Sequence, residues 1–95
     1  MRLLRIENFR YIDGNKAGGD ACLEYGDKEV RAEFIFYLQG NDCLNIRLGR
    51  HDTRVSTQEL EDFLAKQRQH LRQGIKPEVE RIRQERRDKL EISRS

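Results

Sequence analysis

The chain has 95 residues, of which 38% are charged and 36% hydrophobic, enough for one domain with a thin margin of buried surface. Its 19 basic and 17 acidic side chains leave a net charge of +2, and that excess sits at one end: the charges balance at 12 each through Ile75, and the last 20 residues carry 7 basic and 5 acidic. This balance excludes a broadly basic nucleic-acid binder and an acidic mimic of DNA.

Residues Leu3 to Ile12 read as a first strand in which apolar residues are frequent but alternate imperfectly. Within it, Leu4-Arg5-Ile6-Glu7-Asn8-Phe9-Arg10 resembles the first strand of RecF-type and chromosome-maintenance ATPases over seven residues. The phosphate-binding loop that such enzymes need next is missing. Gly14-Asn15-Lys16-Ala17-Gly18-Gly19-Asp20 has the wrong spacing and ends in an acid that repels phosphate. Asp13 to Asp20 is expected to be a loop, because its glycines tolerate positive φ and its Asp and Asn bond to local backbone. A short second strand is expected from Ala21 to Tyr25, a turn at Gly26-Asp27, and a long third strand from Lys28 to Leu38. In that strand Val30, Ala32, Phe34, Phe36 and Leu38 alternate onto one face, opposite Glu29, Arg31 and Glu33. Ile35 and Tyr37 interrupt the polar face, so its distal half is expected to be covered by a helix, a loop or a partner. Gly40-Asn41-Asp42 reads as a turn, and Leu44, Ile46 and Leu48 as a fourth strand. Short connections join antiparallel neighbours, so residues 21 to 48 form a meander, with the first strand at one side of it.

The period then changes. Val55-Ser56-Thr57-Gln58-Glu59-Leu60 is a helix start. Ser56 and Glu59 can bond reciprocally as a capping box, with Val55 and Leu60 as a hydrophobic staple across it. Leu60, Phe63, Leu64 and Leu71 make an apolar stripe that can lie on the sheet. The helix is expected to end or bend near Gln73-Gly74, and Pro77 suits the first turn of another. From Pro77 to Ile92 only Val79, Ile82, Leu90 and Ile92 are apolar, and charges pair at helical spacing: Glu78–Arg81, Glu80–Arg83, Arg81–Glu85 and Glu85–Lys89. The fold class is therefore α+β: a four-stranded, mainly antiparallel sheet packed by one helix, then a charged C-terminal helix. Residues 1–75 form the compact unit and 76–95 a helical extension.

The residues that carry chemistry are few. Cys22 and Cys43 lie 21 apart with no close cysteine pair and no paired histidines, so neither a zinc site nor any other metal or cofactor is expected. Without an apolar leader segment or a membrane-length apolar run, a cytoplasmic protein with reduced thiols is expected. His51 and His70 are the only histidines, and no nucleophile or carboxylate pair recurs at a spacing that enforces proximity. Enzyme activity is not expected, and His51 would be its centre if present.

Binding is the better expectation. Arg47, Arg50, His51 and Arg54 cluster around the end of the fourth strand, where guanidinium forks can hold a phosphate or a carboxylate; the plainer alternative is a solvated loop with Asp52 paired to Arg50 or Arg54. Arg81, Arg83, Arg86 and Arg87, with Lys89, form a basic run that interleaved acids oppose. Ile75, Val79 and Ile82 make a short seam suited to a neighbouring helix, a homodimer included, with Ile35 and Tyr37 as a second apolar contact; the plainer alternative is that the helix folds back on its own sheet and covers Ile35 and Tyr37 within one chain. The function expected is a non-enzymatic protein-binding module, such as a small bacterial or phage regulatory or inhibitory protein. The alternative is a nucleic-acid-associated accessory protein using the basic C-terminal helix.

Overall fold

The structure, a computed structural model, describes residues 1–40 and 42–94, and the side chains through residue 87 apart from that of residue 41. It comprises β1 (Arg2–Asp13), β2 (Lys16–Tyr25), β3 (Lys28–Gln39), β4 (Asp42–His51), α1 (Thr57–Gly74) and α2 (Lys76–Arg94). The four strands form one sheet in the order β1-β2-β3-β4, each antiparallel to its neighbour. The expected α+β class holds, with the first strand beside the second.

The segment expected as a loop from Asp13 to Asp20 is instead a tight hairpin. Asp13 pairs with Lys16, leaving Gly14-Asn15 as the turn, with Gly14 at φ +42°. Gly18 and Gly19 lie inside β2, opposite Ile35 and Phe34. They serve close packing. A Cβ on Gly19 would lie 2.7 Å from Ile6 Cγ2 and 3.3 Å from the Phe9 ring, and one on Gly18 would lie 3.0 Å from Ile12 Cδ1. A glycine-rich stretch in a strand often marks such an approach.

The uneven alternation of β1 also has a cause. Its register with β2 shifts between Leu3 and Arg5 and between Glu7 and Arg10. Asn8 takes a left-handed φ of +52° at the second shift, a conformation that asparagine tolerates better than most residues. The extra residues re-phase the strand, so that Ile6 and Phe9 both face the core. Phe9 packs 5.5 Å, centroid to centroid, from Phe36.

The core lies on one face of the sheet. Val30, Ala32, Phe34, Phe36 and Leu38 of β3 are all buried there, as their alternation predicts, together with Ala21, Leu23, Cys43 and Ile46. Leu60, Phe63, Leu64 and Leu71 of α1 close over them. Ser56 caps α1, accepting the Glu59 backbone N–H at 3.1 Å and donating its hydroxyl to Glu59 Oε1 at 3.0 Å. The helix stops at Gly74, and after Ile75 the chain resumes as α2, with Pro77 in its first turn, where a missing N–H costs nothing. Since α1 contacts β4 and α2 contacts β1, the helical segment crosses the inner face from one edge strand to the other.

Ile75, Val79 and Ile82 belong to the same core as Phe9 and Phe36 and are 3%, 0% and 6% exposed. The seam expected to meet a neighbour or second copy is thus occupied by the chain's own sheet, and it covers the face opposite Ile35 and Tyr37. Arg81 pairs with Glu78 and with Glu85, each at 2.9 Å, as the spacing predicts. Among the described residues Glu80 and Arg83 make no ion pair. The expected Glu85–Lys89 pair and the apolar Leu90 and Ile92 lie outside the described side chains.

Candidate interaction surface

Both helices cover one face of the sheet, and the site is built on the other. The hairpin register sets its rows. Arg5, Cys22 and Arg31 align across β1, β2 and β3; so do Glu7, Asp20 and Glu33; next come Arg10, Gly18, Ile35 and, on β4, Arg47; and last Lys16, Tyr37 and Asn45 across β2, β3 and β4.

The first two rows form a lattice of ion pairs. Arg5 holds Glu7 at 2.6 Å and Glu29 at 2.9 Å, and Arg31 reaches Glu7 at 3.2 Å. Arg10 bonds Asp20 at 3.5 Å and also pairs with Glu33. Hydrogen bonding from Arg5 holds the Glu7 carboxyl below its ordinary range. Two glycines let these side chains lie flat: the Arg10 guanidinium lies 3.3 Å from where a Cβ of Gly18 would stand, and Glu33 occupies the space where a Cβ of Gly49 would be. Cys22 is fully buried beneath the lattice, and burial pushes its thiol up. Cys43 is buried in the core with its thiol likewise raised by burial, and both cysteines are free.

The other end of this face is apolar and cationic. Ile12 is 40% exposed and lies over Gly18, beside half-buried Ile35 and Tyr37. Lys16 Nζ lies 5.5 Å and the Arg47 guanidinium 5.7 Å from the centroid of the Tyr37 ring, within cation–π reach. Among the described residues, neither Lys16 nor Arg47 has a carboxylate partner.

Protein-family models, curated proteins and solved structures give no match to this chain.

The expected cluster of Arg47, Arg50, His51 and Arg54 does not converge. Arg47 lies over Tyr37 on the outer face. Arg54 grips both carboxylate oxygens of Asp52 (2.6–3.1 Å) and donates to the Glu29 carbonyl at 3.2 Å. The side-chain and backbone hydrogen bonds from Arg54 hold the Asp52 carboxyl down to about 2. His51 turns toward α1, with Nδ1 2.9 Å from the Asp52 carbonyl and Nε2 3.0 Å from Thr57 Oγ1. Of the four, Arg50 and His51 do share one open depression of about 400 Å³, lined also by Asp20, Arg31, Glu33 and Asp52, where charges of both signs alternate. The C-terminal basic residues also separate. Arg81 is held by two acids and reaches the Phe9 carbonyl at 3.4 Å, Arg86 stacks 4.3 Å from the Tyr11 ring, Arg83 is half-buried, and Arg87 is exposed.

Among the described residues no group of three or more His, Cys, Asp or Glu side chains is placed to hold a metal ion, and no helix is long and apolar enough to cross a membrane. Sequence reasoning found Ile35, Tyr37 and Arg47 but missed Lys16 and Ile12. The signal for Lys16 was the Gly26-Asp27 turn, whose unbroken register carries β2 and β3 back to Lys16 opposite Tyr37; Ile12 had none, because it reaches Gly18 through the register shift between Tyr11 and Asp13.

Proposed function

We propose that this protein is a non-enzymatic protein-binding module of the regulatory or inhibitory kind, and that it binds through the outer face of its sheet. One observation carries the reading: α1 and α2 both pack on the inner face, leaving the Ile12–Ile35–Tyr37 patch uncovered. An apolar patch rimmed by polar groups on an otherwise charged surface is the pattern of an interaction site, and an aromatic at its centre suits an anchor for a partner. The flat ion-pair lattice beside it supplies a polar rim.

Affinity capture from the source cell, with and without nuclease, tests the reading. A defined protein partner is expected to survive nuclease and to be lost when Ile35→Asp places a charge in the patch, with folding of that variant checked by its melting curve. Capture that vanishes on nuclease treatment gives the function to the alternative, a nucleic-acid-associated protein acting through Arg86, Arg87 and their neighbours.

A further inference from the structure

We infer that the Lys16–Tyr37–Arg47 end of the outer face receives an extended, carboxylate-bearing segment of a partner protein. The segment's acids would lie against Lys16 and Arg47, and its apolar side chains on Ile12, Ile35 and Tyr37. This inference rests on the outer face being a protein-binding surface, and it adds the charge and form of the partner.

The charge comes from the distribution of pairs on the face. Glu7, Asp20, Glu29 and Glu33 each have an arginine already. Lys16 and Arg47 have only the Tyr37 ring between them, and Asp13, the cross-strand neighbour of Lys16, makes no ion pair with it among the described residues. Two cations without acids, on either side of an aromatic, complement a ligand with acids spaced across an apolar contact. Their spacing fits an extended chain. Lys16 and Arg47 lie 5.5 Å and 5.7 Å from the centroid of the same Tyr37 ring, so their charges are at most about 11 Å apart, within side-chain reach of acids that recur about every 7 Å on one face of an extended segment.

Other occupants fit less well. A second copy docked face to face on a twofold axis through Ile35 sets the cations Lys16 and Arg47 against their equivalents, and like charges across an interface oppose association. Single-stranded nucleic acid stacks its bases on aromatic rings along a basic track. This face offers one ring, and the patch borders the carboxylates of Asp20 and Glu33.

The test is a titration of the isotopically labelled full chain, followed by amide chemical shifts. The probes are a blocked ten-residue peptide of aspartate and leucine, the same peptide with lysine for aspartate, and a ten-nucleotide oligothymidylate. The acidic peptide should give saturable shifts centred on Lys16, Ile35, Tyr37 and Arg47, weakening as salt is added. Lys16→Glu with Arg47→Glu should weaken binding at least about tenfold, the loss expected when two charge-assisted contacts turn repulsive. If the reversed pair does not give a folded spectrum, Lys16→Gln with Arg47→Gln serves, with a smaller loss in the same direction. Equal or tighter binding of the lysine peptide overturns the charge assignment, and the outer-face reading still stands if Ile35→Asp abolishes capture of a protein. Preferential binding of oligothymidylate overturns both. The absence of saturable shifts with the acidic peptide overturns this inference alone.

Discussion

The hydroxyl of Ser56 works in two directions, accepting from the Glu59 N–H and donating to its carboxylate. Ser56→Ala should cost about 1 kcal/mol, the usual loss of an N-cap. Ser56→Asp, which a cap alone would tolerate, keeps the acceptor but loses the donor and sets a second carboxylate beside Glu59. The Glu59 carboxyl is held below its ordinary range by hydrogen bonds from Tyr25 and Ser56. Ser56→Asp should therefore melt below the parent at neutral pH, with the deficit narrowing as Glu59 is protonated; a variant indistinguishable from the parent at pH 7 shows that the donated bond contributes nothing. Asp52 gives a prediction of its own. Its folded value of about 2 lies below the ordinary 3.8, so the stability it contributes is present above the unfolded value and lost as pH falls through the folded one. Asp52→Asn should flatten the fall in urea midpoint between about pH 4 and pH 2, leaving the share due to Glu7 and Glu59 in place; an acid limb identical to the parent's would mean that Arg54 does not hold Asp52 in solution. Both features were legible in the sequence, because a capping box and a pair two residues apart are local. The dispersal of Arg47, Arg50 and His51 was not legible, since it depends on which side of β4 each residue faces once that strand bulges between the partners of Ala32 and Phe34.

Strand β3 was readable because its neighbours impose no break on its period; every second residue from Val30 to Leu38 is buried. Strands β1 and β2 were harder for one shared reason. Their packing against each other is so close that glycines replace side chains in β2 and bulges re-phase β1, and both devices erase the alternation from which strands are read. The glycines can be tested against each other. Gly19→Ala drives a methyl to within 2.7 Å of Ile6 Cγ2, between the Phe9 and Phe36 rings, and should cost about 1–3 kcal/mol, the range for overpacking a core. Gly49→Ala meets only the Glu33 side chain, its carboxylate first and its Cγ at 3.2 Å, and a flexible side chain can swing away, so its cost in the same urea series should be clearly smaller. Equal losses would mean that the Arg10–Glu33 pair holds the sheet as firmly as the core does. Phe34→Ala sets the scale for the strand. Its side chain is fully buried, and its loss should remove roughly 3–5 kcal/mol, comparable with the whole stability of a small domain.

At the scale of the molecule, the sequence revealed that α2 had a narrow apolar strip but not what the strip meets. Ile75, Val79 and Ile82 follow one another at spacings of four and three, which serves a second helix, a second copy or a sheet equally well. The choice depends on Phe9, some 70 residues earlier in the chain, reaching the inner face through the bulge at Asn8. With the strip docked on the sheet, α2 takes part in the domain's stability, and its apolar face is withdrawn from any partner. The helices leave the other face untouched, so if that face binds as proposed, stability and recognition fall on opposite sides of the same four strands. Ile82→Ala measures the division. As a buried core residue, 6% exposed, Ile82 should cost roughly 2–5 kcal/mol when truncated, with the mass by light scattering unchanged and the outer-face amide shifts undisturbed. Val79→Glu, which forces a carboxylate into a site with no exposure, should be more damaging still, since a buried charge without a partner is costly. The contrary result is equally definite: a dimeric parent whose Ile82→Ala and Val79→Glu variants are monomers with the urea midpoint of the isolated protomer would return α2 to the role of an interface helix and leave Phe9 without its cover.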